Sequence, residues 1–267
     1  MMCRAIGFSL ALLAAPWAVA QQPVRLSTTT STDNSGLLRF LLPVFEARTG
    51  FKVDVIAVGS GKALELAKNG DVDVTLVHAR AAEDRFVAEG HGVGRRNVMY
   101  NDFVIVCPAS DPARIKGGRD VIAAFRRMAA SGARFVSRGD NSGTEVMEQS
   151  YWKGAGVKPQ GKRYLSAGLG MGEVLMMAAE LQACTLSDRA SFITYRARTG
   201  LAIMVEGDKR MFNPYGVLKV NPVRHPGVHQ QGAHALVQWL VSPEGQANIA
   251  AFRFEGQQLF FPAADLP

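Results

Sequence analysis

Four stretches of this 267-residue chain concentrate hydroxyls and glycines where a strand should end and a helix begin. Ser27-Thr28-Thr29-Thr30-Ser31-Thr32-Asp33 follows the first β-like run, and Gly59-Ser60-Gly61-Lys62 follows the second. Ser137-Arg138-Gly139-Asp140-Asn141-Ser142-Gly143-Thr144 precedes a helical segment in which Ser142 and Glu145 fit a capping box. Gly168-Leu169-Gly170-Met171-Gly172 opens another helix. Helix N-termini carry unpaired N–H groups and a partial positive charge, so several aimed at one point bind an anion with few cationic side chains. Ser and Thr add rotatable donors, glycine lets the backbone come close, and Arg138 offers a fork to an oxyanion. Any one cluster is explained by an N-cap or a turn. Four together predict a cleft for a small oxyanion.

Competing chemistries fit less well. Gly59-Ser60-Gly61-Lys62 is not a nucleotide P-loop, because Ile56 stands where the leading glycine belongs and Ala63 replaces the magnesium-binding hydroxyl. A hydrolase built on Ser142, His78 and Asp188 lacks a nucleophile elbow. His225, His229 and His234 have no Cys or carboxylate to complete a metal set. His78 reads as a hydrogen-bonded structural residue, and Met171, Met176 and Met177 read as helix packing. Asp188 and Arg189 either orient the site or pair with each other.

The elements that must position these clusters alternate. Strands are expected at residues 24–27, 52–58, 72–77, 103–106, 134–137, 202–205 and 216–220, with helical spacing at Leu37, Leu38, Leu41, Leu42 and Phe45 and at Val121, Ile122, Phe125 and Met128. Pro43 should kink or restart the first helix. This alternation predicts an α/β architecture with largely parallel sheets, whose strand ends are where ligands bind. A two-lobed chain would cross between lobes near residues 101–106 and 215–220. Lobe I would then comprise residues 21–101 plus 217–267, including C-terminal helices near 228–241 and 243–252, and lobe II residues 102–216.

Residues 1–20 read as a signal peptide, with Arg4 before a short apolar run and Ala18-Val19-Ala20 at its end. Export to the periplasm is expected, without a lipid anchor. The net charge of +7 becomes +6 once Arg4 is removed (7 − 1, no acid lost). Basic residues are scattered, which argues against nucleic acid. Cys107 and Cys184 remain in a compartment that permits disulfides. Two buried free thiols are the favoured expectation, because sequence does not supply the Cα separation a bridge requires.

The string Thr28-Thr29-Thr30-Ser31-Thr32-Asp33-Asn34-Ser35-Gly36 resembles the N-terminus of the tungstate-binding proteins of TupA type, which serve ABC transporters. Gly59-Ser60-Gly61-Lys62-Ala63-Leu64, Asp71-Val72-Asp73-Val74-Thr75-Leu76-Val77-His78-Ala79-Arg80, the Arg138 to Thr144 string, Gly170-Met171-Gly172 and Thr185-Leu186-Ser187-Asp188-Arg189 match in register. The resemblance implies a type II periplasmic-binding-protein fold, two α/β lobes joined by two crossover segments, closing on tungstate or molybdate. It implies ligand contacts at Thr29, Thr30, Ser31, Ser60, Arg138, Ser142, Gly143, Thr144, Gly170 and Met171, with Asp140, Asp188 and Arg189 behind them. No catalytic residue, cofactor or metal cation is implied, and the expected partners are the oxyanion and an inner-membrane permease, with the chain monomeric. Ser60 stands where Thr is common, Cys107 where Gly is expected, Cys184 where Tyr is expected, and Ala190-Ser191 where Gly-Thr is common. Phosphate is the alternative ligand, since R-x-D-x-S-G-T also resembles phosphate-binding proteins. A proton-bearing anion benefits from a carboxylate acceptor, so Asp33 or Asp140 pointing into the cleft would favour phosphate. Either one turned back to a helix or an Arg would favour tungstate.

Overall fold

The computed structural model describes residues 22–265, so the expected signal segment, residues 1–20, lies outside the described residues. The chain opens with three strand-to-helix units. They are β1 (Val24–Thr29) with α1 (Thr30–Asn34) and α2 (Leu37–Thr49), β2 (Val53–Val58) with α3 (Ser60–Asn69), and β3 (Val74–Val77) with α4 (Arg80–Ala88). β1 lies between β2 and β3 and is parallel to both, with Thr29 opposite Val58 and Thr28 opposite Leu76. That register brings the carboxyl ends of all three strands to one edge.

The long strand β4 (Gly92–Pro108) then leads to α5 (Val121–Ser131), β5 (Phe135–Ser137), α6 (Gly143–Gly154), β6 (Tyr164–Ser166), α7 (Met171–Glu180), β7 (Thr185–Asp188), α8 (Arg189–Thr199) and β8 (Leu201–Val205). A short 3-10 turn precedes β9 (Phe212–Val220), after which α9 (Gln230–Val241), α10 (Pro243–Ala251) and β10 (Phe261–Pro262) close the chain. Among the described residues no helix is long and apolar enough to cross a membrane.

The expectation of largely parallel sheets is corrected. β4 pairs antiparallel with β9 from Gly92 to Asp102, then antiparallel with β7 from Phe103 and with β8 from Ile105. β9 is also antiparallel to β3, whereas β5 and β6 are parallel. Helical crossovers return the early strands in one direction. β4 and β9 instead run as opposed extended segments with pairing partners on both sides.

α2 continues through Pro43 without restarting. Pro43 is exposed, while Leu37, Leu38, Leu41, Leu42 and Phe45 are buried. Full burial of such side chains stabilises by about 1.5–3 kcal/mol each, enough together to offset the ~3 kcal/mol of an interior proline.

The expected free thiols are also corrected: Cys107 and Cys184 form a disulfide with a Cα separation of 4.1 Å. The cause is register, since Val106 pairs with Thr185 and the next pair outward is Cys107 with Cys184. The bridge lies in a core with Phe103, Phe125, Phe135, Trp152 and Leu186. A separate core joins α2, α7, α9 and the faces of β1, β3 and β4.

Candidate oxyanion site

The parallel strands supply the first half of the site. Thr29 ends β1 and caps α1, its hydroxyl accepting from the Thr32 N–H and lying 2.6 Å from the Thr32 hydroxyl and 3.0 Å from that of Ser31. Because Thr29 is level with Val58, the following Gly59 and Ser60 start α3 beside it. Thr30 is half-buried, while Thr29, Ser31 and Ser60 are buried.

The second half comes from the junction of β5 and α6. Arg138 is buried, its guanidinium engaging the Asp140 carboxylate, and its carbonyl accepts from the N–H groups of Gly168 and Leu169. The third and fourth clusters are thereby tied together. Gly139 needs its left-handed backbone (φ +64) and its missing Cβ, which would fall 2.0 Å from the Ser166 hydroxyl. Ser142 caps α6 by accepting from Glu145 N–H. The capping box is only half realised, because Asp140 accepts the Ser142 N–H and Glu145 takes that of Asn141.

Two contacts bring the halves together. A Cβ on Gly143 would lie 3.0 Å from the His78 carbonyl and 3.3 Å from its Nδ1, so the first residue of α6 is seated on the end of β3. The Tyr215 hydroxyl, on β9, is hydrogen-bonded to Thr32, Asn101 and Asn213, linking α1 to the crossing strands. Thr29, Ser31, Ser60, Arg138, Ser142 and Thr144 each expose 5% or less of their surface. Arg138 Nε and Thr144 Oγ1 are buried with no hydrogen-bond partner in the protein. Buried donors without partners are costly, and these two belong to the residues expected to hold the anion.

The remaining expected residues divide. The Gly170 N–H donates to the Glu173 carboxylate, and the Met171 side chain packs in the core, so the fourth cluster carries its own anion at the start of α7. Asp140 is turned to Arg138 and the Ser142 N–H. Asp33 is half-buried and lines a surface hollow with Arg39 and Asp54. Asp188 and Arg189 do not pair. Asp188 caps α8 through Ser191 N–H and is fully buried, while Arg189 bonds Asp102 and Glu206.

The hydrolase arrangement is not assembled: Ser142 caps its helix and His78 Nδ1 bonds Asn213 Oδ1. His229 accepts from Gly232 N–H, and His225 pairs with the Lys68 carbonyl. Among the described residues, no group of three or more His, Cys, Asp or Glu is placed to hold a metal ion.

Sequence reasoning missed Asn101, Asn213 and Tyr215, all buried. The signal was there: two amides and a phenol in segments otherwise fit for a strand interior. Burial keeps His78 below the ordinary imidazole range, with Arg138 acting in the same direction and Asp188 and Asn213 against it. Burial, then Asp188, pushes the Tyr215 hydroxyl well above the usual phenol range.

The sequence profile of the PBP superfamily domain matches residues 17–244. The tungstate-binding protein TupA of Peptoclostridium acidaminophilum is 45% identical over 249 residues, covering 92% of this chain and 87% of that protein. A crystal structure titled as the tungstate ABC transporter from Geobacter sulfurreducens is 50% identical and superimposes with a TM-score of 0.82, covering 86% of this chain and 99% of that one. A conserved protein of unknown function from Vibrio parahaemolyticus is also 50% identical, over 87% of this chain and all of that one, yet superimposes at only 0.51. The chain belongs to the PBP superfamily and, within it, to the family of the tungstate-binding proteins of TupA type.

Proposed function

We propose that this chain is the extracytoplasmic solute-binding component of an ABC importer, capturing tungstate in its cleft and delivering it to a membrane permease. The observation that carries this reading is the set of six buried polar side chains from two directions, two of them with atoms that no protein group satisfies. Hydroxyls and helix N-termini replace an oxyanion's hydration shell, and Arg138 adds the one strong cation. Molybdate shares this chemistry and is the second ligand of the same reading. Asp140, turned back onto Arg138, and Asp33, facing the surface hollow, support a fully ionised anion over phosphate.

The ligand contacts we assign are Thr29, Thr30, Ser31, Ser60, Arg138, Ser142, Gly143 and Thr144; we put Gly170 and Met171, which follow the Gly168 and Leu169 N–H groups bonded to the Arg138 carbonyl, at the margin of the site, since the Gly170 N–H is already taken by Glu173. Asp140, Asp188 and Arg189 support them. The lobes divide as residues 21–101 plus 217–267 and 102–216, a division supported by the change of partner along β4 after Asp102. Ligand contacts from both lobes favour the closed form by their differential affinity. Two relatives of equal identity superimposing at 0.82 and 0.51 fit a fold whose halves take more than one orientation. A signal peptide over residues 1–20 and the disulfide both fit the periplasm, and the chain acts as a monomer.

The test is a melting series with tungstate, molybdate, sulfate, phosphate and chromate, since a ligand of the folded state stabilises by RT ln(1 + [L]/Kd). Tungstate and molybdate should give the largest shifts. A larger shift with phosphate, or none with any anion, overturns the reading.

A further inference from the structure

His78 sits in the seam between the two halves of the site and has no role in the binding scheme above. Its surroundings define its protonation more sharply than burial alone. An ionised carboxylate only accepts hydrogen bonds, so Asp188 Oδ1 turns the Asn101 amide to present Nδ2, at 3.5 Å, with the Tyr215 hydroxyl 3.4 Å from the same nitrogen. Asn101 Oδ1 is then free to accept from Asn213 Nδ2 at 2.6 Å. Asn213 is left presenting Oδ1, an acceptor, to His78 Nδ1 at 3.0 Å. The chain has one direction, and it requires a hydrogen on Nδ1. In the neutral ring Nε2 therefore carries the lone pair.

The charges around that ring are few. Asp188 on β7 and Arg138 after β5 act on it, the neutral Tyr215 ring lies tilted against it with centroids 4.7 Å apart, and uncharged Gly143 at the start of α6 packs so close that a Cβ there would lie 3.3 Å from its Nδ1. Asn101 on β4 and Asn213 on β9 are neutral. Arg138 is already engaged by the half-buried Asp140, and Asp188 adds a fully buried carboxylate. A dianion entering this seam would leave the negative charges well ahead of the single cation, and the ring packed against Gly143 still has an unprotonated nitrogen, Nε2, able to take up a proton.

We propose that anion capture at this site is coupled to the uptake of a proton at His78 Nε2, with the Asp188–Asn101–Asn213 chain holding His78 in the tautomer that makes Nε2 the acceptor. The proton comes from solvent when the dianion binds and adds to the Nε2 lone pair, so that the ring packed against Gly143 becomes cationic. His78 is thus a positioning and charge-matching residue. This inference rests on the oxyanion-binding reading of the cleft.

Two measurements on the full mature protein test it. The first is the nitrogen-15 to ring-proton correlation pattern of His78 without ligand at pH 8, which distinguishes the two neutral tautomers. The Nδ1–H pattern is expected, and the Nε2–H pattern overturns the proposal. The second is calorimetric titration of tungstate at pH 8 in Tris and in HEPES, whose ionisation heats differ. The native protein should take up about one proton per anion, and His78→Gln should bind with almost none. Binding heat independent of buffer, or uptake unchanged in His78→Gln, overturns the proposal while leaving the function intact. No heat with tungstate, molybdate, sulfate or phosphate overturns both. Asn213→Leu, which removes the acceptor for Nδ1–H but retains His78, keeps the test decisive if His78→Gln does not fold: it should release the tautomer and lower the uptake, and unchanged uptake overturns the proposal.

Discussion

The two halves of the site are built on different principles. On the β1 side, Thr29, Ser31 and Thr32 satisfy one another and cap α1. That half is preorganised with or without an anion. On the α6 side, the only cationic side chain of the set is locked to Asp140, while Arg138 Nε and Thr144 Oγ1 have no partner. That half gains most from a ligand, because unsatisfied buried donors are the groups whose pairing changes free energy. The difference teaches that burial and hydroxyl count do not rank the residues of such a site; prior hydrogen bonding does.

Removing the charge should break the comparison most severely. Arg138→Ala should weaken tungstate binding by about two orders of magnitude in calorimetry, and Arg138→Lys should recover only part of it, since a point charge lacks the fork. A change below threefold for Arg138→Ala would shift the binding energy to the other half. The α6 side also carries a second tension one helical turn on. Glu148 is buried and hydrogen-bonded to Trp152 and Tyr164, and burial raises its carboxyl to about 7. The folded state thus holds a proton that the unfolded chain has released, so stability should fall as pH rises from about 4.5 to about 7, by about 3 kcal/mol in all. Glu148→Gln should abolish most of that slope in denaturant melts followed from pH 5 to 8.

Thr144→Val tests the unpartnered hydroxyl with opposite signs. Binding should weaken about tenfold, while the ligand-free protein should be unchanged or slightly more stable, since an orphaned polar atom has been removed. Loss of stability in the free protein would show that the hydroxyl is satisfied after all. The smallest effect is expected on the preorganised side, where Ser60→Thr should change affinity by less than about threefold, because it keeps the donor.

The helix junctions were legible in the sequence because caps and tight turns are local: Thr29 and Ser142 announce their helices within three residues, whereas the cap at Asp188 was not read as one. The fourth cluster shows where local pattern stops being informative. Gly170 opens a helix as expected, but Glu173 one turn later already answers its free N–H. What local pattern could not reveal is register. The Asn101, Asn213 and Tyr215 network depends on β4 lying against β9, and the antiparallel character of the sheet depends on residues over 100 positions apart. Pro43 shows the converse, a strong local breaker overruled by five buried neighbours.

The cross-link between Cys107 and Cys184 spans 77 positions. Inside that span lie α5, β5, α6, β6 and α7, so the cationic half of the cleft is threaded on a closed covalent ring, and the hydroxyl half lies wholly outside it. The two cysteines work only as a pair. Either one alone would leave a stray thiol in the core. Chain folded inside a reducing cytoplasm, as in many recombinant preparations, would carry an unfastened ring around Arg138 even where its other half was fully native.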